Sequence, residues 1–110
     1  YELSLKIHKA TRDFPKEERY GLSFELRKTS RSLWCNIADG HKRRNTEEYI
    51  RFLNIAQASG AELETLLLLS RDLNLLSEEL TVGFFSLYGE VKQMLGGLVT
   101  VLEKKIRGRL

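Results

Sequence analysis

A chain of 110 residues, 42% apolar and 30% charged, holds enough material for one domain around one core and is not composed like a disordered tail. Cys35 is the sole cysteine, which excludes an intramolecular disulfide. With no basic-then-apolar leader and no uncharged run of about 18 residues, the chain reads as cytoplasmic, neither exported nor membrane-spanning. Eighteen Lys and Arg against fifteen Asp and Glu leave a net charge of +3, so placement of the charges matters more than their total.

Leu3, Ile7, Ala10 and Phe14 recur at helical spacing and predict a first helix over about 1–13. Pro15 ends it by disfavouring helical geometry at Phe14, while its fixed ring suits the first turn of a second helix over about 15–40. Glu17 and Glu18 then lie near the positive end of that helix's dipole. Its stripe is Leu22, Leu26, Thr29, Leu33 and Ile37, flanked by small Ser30 and Ala38, and Gly40 is the expected terminator. Asn45 with Glu48 three residues on matches a capping box and opens a third helix over about 46–73. Its positions Tyr49, Phe52, Leu53, Ala56, Ser59, Leu63, Leu66, Leu67, Ser70 and Leu73 keep the helical period for about 40 Å, and Asn74 is the expected left-handed cap. Ser77-Glu78-Glu79 opens a fourth helix over about 78–107, with the stripe Leu80, Phe84, Leu87, Val91, Leu95, Leu98 and Leu102. Lys104, Lys105 and Arg107 suit its negative end. Short connections make successive helices antiparallel, so the expected fold is all-α, an up-down-up-down four-helix bundle with 1–110 as a single domain.

The apolar surface exceeds what one bundle needs. Leu66-Leu67-Leu68-Leu69 covers the circumference of the third helix, and Phe84-Phe85, Leu87-Tyr88 and Trp34 add to the excess. Burying one leucine is worth about 1.5–3 kcal/mol. The expectation is therefore a homo-oligomer with Trp34, Leu68, Leu69, Phe85 and Tyr88 at the interface, against the alternative of a monomer with a wide core stripe. Gly83, Gly89, Gly96 and Gly97 all fall in the fourth helix, where each costs up to about 1 kcal/mol relative to Ala. Close approach of a neighbouring helix or subunit is one explanation and a bend at Gly96-Gly97 the other.

Lys42, Arg43 and Arg44 occupy the connection after the second helix, Arg51 lies two turns into the third, and Arg27, Lys28 and Arg31 occupy turns of the second. Lys and Arg gain affinity for RNA or DNA by releasing counterions condensed on the phosphates; plain solvation is the alternative reading of the same residues. No base-reading motif accompanies them, so sequence preference should be weak. Tyr20, Tyr49 and Trp34 could stack on bases, but at helical spacing such rings more often belong to a core or interface. Asn36 interrupts an apolar stripe and Glu62 and Glu64 lie on the third helix, so a buried Asn–Glu or Arg–Glu bond that fixes helix register is expected. No metal and no cofactor are expected: only His8 and His41 occur, and Glu62 and Glu64 point apart on a helix. Cys35 reads as a small core residue rather than a nucleophile, and the chain as non-enzymatic.

Four blocks carry a family likeness: Phe14-Pro15-Lys16-Glu17-Glu18-Arg19-Tyr20-Gly21-Leu22; Ser32 followed by Asn36-Ile37-Ala38-Asp39-Gly40; Glu48-Tyr49-Ile50-Arg51-Phe52-Leu53 with Ile55-Ala56; and Ala61-Glu62-Leu63-Glu64-Thr65. In this order they resemble the small four-helix-bundle proteins encoded in intervening sequences of 23S ribosomal RNA genes. Departures are Trp34-Cys35 where that family commonly has Pro-Ala, Asp39 where it has Glu, and Gly60 where it has a larger apolar residue. The resemblance implies a homopentameric barrel of bundles. It also implies kinship with the accessory variability determinant of diversity-generating retroelements, a basic pentamer that binds nucleic acid and assists a reverse transcriptase. The functional expectation is a non-enzymatic oligomeric accessory protein that grips nucleic-acid phosphates; a structural or protein-interaction scaffold is the alternative.

Overall fold

The computed structural model describes residues 1–18 and 20–108; Arg19 of the first family-like block lies outside them. In chain order the elements are α1 (Glu2–Thr11), a 3-10 turn (Lys16–Glu18), α2 (Leu22–His41), α3 (Thr46–Asp72) and α4 (Glu78–Arg107). Among the described residues there is no strand. The four helices pack antiparallel into an elongated body of 53 × 23 × 19 Å.

Small polar side chains fix the register of the first three helices. The Ser4 and Ser30 hydroxyls meet at 2.6 Å between α1 and α2, and those of Ser32 and Ser59 at 2.9 Å between α2 and α3. Each pair satisfies two polar groups while letting the backbones come close. Along this frame Leu3, Ile7, Leu26, Leu33, Leu53, Leu63, Leu67 and Leu95 are almost wholly buried. Each contributes roughly 1.5–3 kcal/mol of transfer free energy, which makes this row the main stabilising element of the bundle.

Helix ends show where local chemistry decides the fold. Asn45 Oδ1 accepts from the Glu48 amide at 2.7 Å, and Ser77 Oγ accepts from the Leu80 amide at 3.1 Å, so α3 and α4 begin at side-chain caps. Asn74 is left-handed at φ 62°, its amide bonded to the Arg71 carbonyl and that of Leu75 to the Ser70 carbonyl. That paired arrangement closes α3.

Several expectations are corrected. Residues after Pro15 make only a short 3-10 turn, and α2 starts at Leu22, where Glu18 Oε2 accepts the Leu22 amide at 3.3 Å. Gly40 does not end α2: it is buried inside the helix, which runs on to His41. A Cβ there would meet Phe52 Cβ at 2.9 Å and Tyr49 Cδ1 at 3.1 Å, so its missing side chain serves the approach of α3. On α4 the buried stripe is Thr81, Phe84, Tyr88, Leu95 and Val99, while Leu80 is exposed. Among the described residues no packing neighbour lies within 4 Å of a Cβ built on Gly83, Gly89, Gly96 or Gly97, so none of them serves a contact between the described helices.

The close approach instead occurs at Gly60 of α3. Tyr88 of α4 is only 3% exposed and lays its ring and hydroxyl directly over Gly60. Tyr88 is therefore a core residue and not part of an outer apolar face. Burial, with the charge of Glu64 second, pushes its phenol pKa up and keeps it neutral.

Candidate nucleic-acid interface

The turn between α2 and α3 gathers the densest positive charge whose placement follows from packing. Gly40 allows α3 to close on the last turn of α2, which seats Tyr49 and Phe52 beside the connection. His41 meets the Tyr49 ring edge-on with centroids 6.1 Å apart. Lys42, Arg43 and Arg44 are all exposed. The Arg43 guanidinium carbon lies 4.3 Å from the Phe52 ring centroid and that of Arg51 lies 4.8 Å from it. Attraction between a cation and the negative face of a ring orders both arginines without neutralising them.

Arg51 is also paired with Glu48, 3.0 Å from Nη2 to Oε2, so one of the four charges is partly compensated. The Glu48 carboxylate thus turns to Arg51 rather than back to the Asn45 amide, and only half of the expected capping box forms. Among the described residues Lys42, Arg43 and Arg44 have no ion pair.

The basic residues of α2 are set apart from this turn. Arg27 stands fifteen positions before Lys42, roughly 22 Å away along the helix. Its guanidinium Nε donates to Thr11 Oγ1 at 2.7 Å and Nη2 to the His8 carbonyl at 3.2 Å, tying α2 to α1. Lys28 is exposed with its ammonium 6.0 Å from the Phe24 ring centroid, and Arg31 is exposed. Burial lowers the His8 pKa, and the charges of Arg27, Arg31 and Arg12 lower it further. The seven basic residues therefore divide between two positive regions.

The expected apolar interface divides too. Leu68 and Leu69 are exposed at 36% and 45%, while Phe85 and Trp34 are half-buried against the core. The Trp34 indole N–H is enclosed with no hydrogen-bond partner among the described residues. Cys35 is exposed rather than a small core residue, since its turn of α2 faces outward beside buried Leu33. Asn36 does not reach α3: its Nδ2 donates to the Ser32 carbonyl at 2.8 Å and to Ser32 Oγ at 3.2 Å. Register falls instead to the Ser32–Ser59 pair that Asn36 supports, a role that the lone serines did not signal in sequence.

Among the described residues no three His, Cys, Asp or Glu side chains come together to hold a metal. No described helix is long and apolar enough to cross a membrane. Comparison with curated proteins gives no match. The family model of the 23S rRNA-intervening sequence protein matches residues 1–97, which takes in α1, α2, α3 and the first two-thirds of α4. Carrying that pattern through four antiparallel helices, the chain belongs to the 23S rRNA-intervening sequence protein family.

Proposed function

We propose that this protein is a non-enzymatic, oligomeric accessory factor that binds the phosphates of RNA or DNA. The observation that carries the reading is the α2–α3 turn, where Arg43 and Arg51 rest over Phe52 beside exposed Lys42 and Arg44. Ordered cations that remain exposed can displace counterions from a phosphate backbone at little cost in side-chain entropy. Arg27, Lys28 and Arg31 supply a second contact region on the same helix.

Self-association multiplies a charge that is slight in one copy. Exposed Leu68 and Leu69, with half-buried Trp34 and Phe85, favour burial against further copies. Five copies, the number the family likeness implies, would carry about +15, enough for a multivalent, shape-based grip. Assistance to a reverse transcriptase is the cellular role that the same likeness suggests.

A filter-binding assay at low salt tests the reading. The protein should retain labelled RNA or DNA at about 50 mM salt, with Lys42→Glu/Arg43→Glu/Arg44→Glu much weaker. Failure of the unaltered protein to bind at that salt rejects it.

A further inference from the structure

Where α1 gives way to the 3-10 turn and α2 begins, the surface opens into a cleft of about 380 Å³. Its walls include Thr11, Arg12, Lys16, Ser23 and Arg27, with Phe14 buried at its side, and among the described residues no carboxylate lines it. Among the described residues none of its three cations is in an ion pair. Three positive charges around one concave site set up a local field that favours an anion.

Arg27 is what turns this charge into a shaped site. Two of its five N–H groups are used inside the protein, on Thr11 Oγ1 and the His8 carbonyl. Thr11 is itself braced, donating to the Ile7 carbonyl at 2.9 Å. The guanidinium plane is therefore held at two points of α1 while three N–H groups remain, a fork that matches the oxygens of a phosphate. Arg12 and Lys16 are exposed and reach the cleft from the α1 end. Ser23, 6% exposed in the first turn of α2, places a hydroxyl in the wall, with no hydrogen bond to it among the described residues.

We propose that this cleft binds a phosphomonoester group, held by Arg27 as the fixed donor, by Arg12 and Lys16 as neutralising cations, and by the Ser23 hydroxyl. A dianion is favoured over a singly charged carboxylate because three cations surround it. His8, whose carbonyl accepts from Arg27, has its pKa lowered first by burial and then by the charges of Arg27, Arg31 and Arg12. The cleft is roughly 22 Å along α2 from the basic turn and stands whether or not that turn binds nucleic acid.

The test is a titration of the isotope-labelled chain with inorganic phosphate, replacing chloride at constant ionic strength and followed by amide NMR shifts. Saturable shifts are expected at Thr11, Arg12, Lys16 and Ser23. Lys16→Glu and Arg12→Glu, both at exposed positions, should weaken the midpoint about tenfold or more, while Lys42→Glu should leave it unchanged. A second arm compares one oligonucleotide with a 5′-phosphate and with a 5′-hydroxyl. Displacement of phosphate by the 5′-phosphorylated form alone supports the site and assigns it to strand ends; displacement by neither supports it and assigns it to free phosphate compounds. Equal displacement by both forms, no saturable shift, or shifts that persist in both charge reversals overturn the proposal.

Discussion

Replacing Gly60 by alanine sets two known effects against each other at a single buried point. Within a helix the exchange is worth up to about 1 kcal/mol in favour of alanine. At Gly60 the added Cβ would stand 2.6 Å from Tyr88 Cε1 and 2.8 Å from Cζ, distances that force the ring or the α3–α4 spacing to move. Tyr88 is 3% exposed, so its ring is held in the core rather than free to swing into solvent, and the overpacking cost of about 1–3 kcal/mol applies. The net expectation is destabilisation by about 1 kcal/mol, a fall in Tm on the order of 4 °C by calorimetry or circular dichroism. The sign should reverse once the ring is gone. Tyr88→Leu costs stability of its own, but Gly60→Ala added to it should then stabilise, giving a coupling of about 1–3 kcal/mol in the double-mutant cycle. Gly89→Ala is the control, because among the described residues no packing neighbour lies within 4 Å of its Cβ, and it should raise Tm in both backgrounds. A Gly60→Ala protein as stable as Gly89→Ala would refute the contact.

Other consequences are smaller and independent. Asn45→Ala removes the acceptor of the Glu48 amide and should cost about 1 kcal/mol in urea unfolding; an unchanged midpoint would contradict the cap. His8 has a pKa lowered by burial and then by Arg27, Arg31 and Arg12, so the unfolded chain binds its proton at higher pH than the folded one. Stability that depends on neutral His8 is then complete above its ordinary value of 6.5 and is lost as pH falls through that value. The fall in Tm from about pH 7.5 to about pH 5.5 should be smaller in His8→Gln, and an equal fall in both proteins would dismiss the effect. Light scattering should give several times the 12.7 kDa of one chain, reduced by Leu68→Asp/Leu69→Asp without loss of helix; a single-chain mass for the unaltered protein contradicts self-association.

The bundle was legible because its signals are local and repetitive. Leu3 and Ile7, Leu26 and Leu33, or Leu63 and Leu67 recur on one face, and Asn45, Asn74 and Ser77 act within a few residues of themselves. Contacts between helices left no such trace. Gly40 reads as a terminator in sequence, and only the approach of Tyr49 and Phe52 gives it another role. Nothing in the spacing pairs Gly60 with Tyr88, so a tyrosine assigned to the outside is found in the core. Pro15 does favour a helical turn after it, but non-helical backbone at Gly21, φ −101° and ψ −113°, separates that turn from α2, whose Leu22 amide donates to Glu18 Oε2. Of the basic residues, the cluster at Lys42, Arg43 and Arg44 was plain from the chain, whereas the separation of Arg27 from it and its bond to α1 depend on the packing of helices.

The salt dependence of binding tests the proposed role of the turn most directly. If Lys42, Arg43 and Arg44 each neutralise one phosphate, a plot of log affinity against log salt should steepen by about 2 on single strands and about 2.7 on duplex for each turn engaged. Measured by fluorescence anisotropy, the unaltered protein should show at least that slope, and the triple charge reversal should lose it. A slope that is the same in both proteins would remove the turn from the interface.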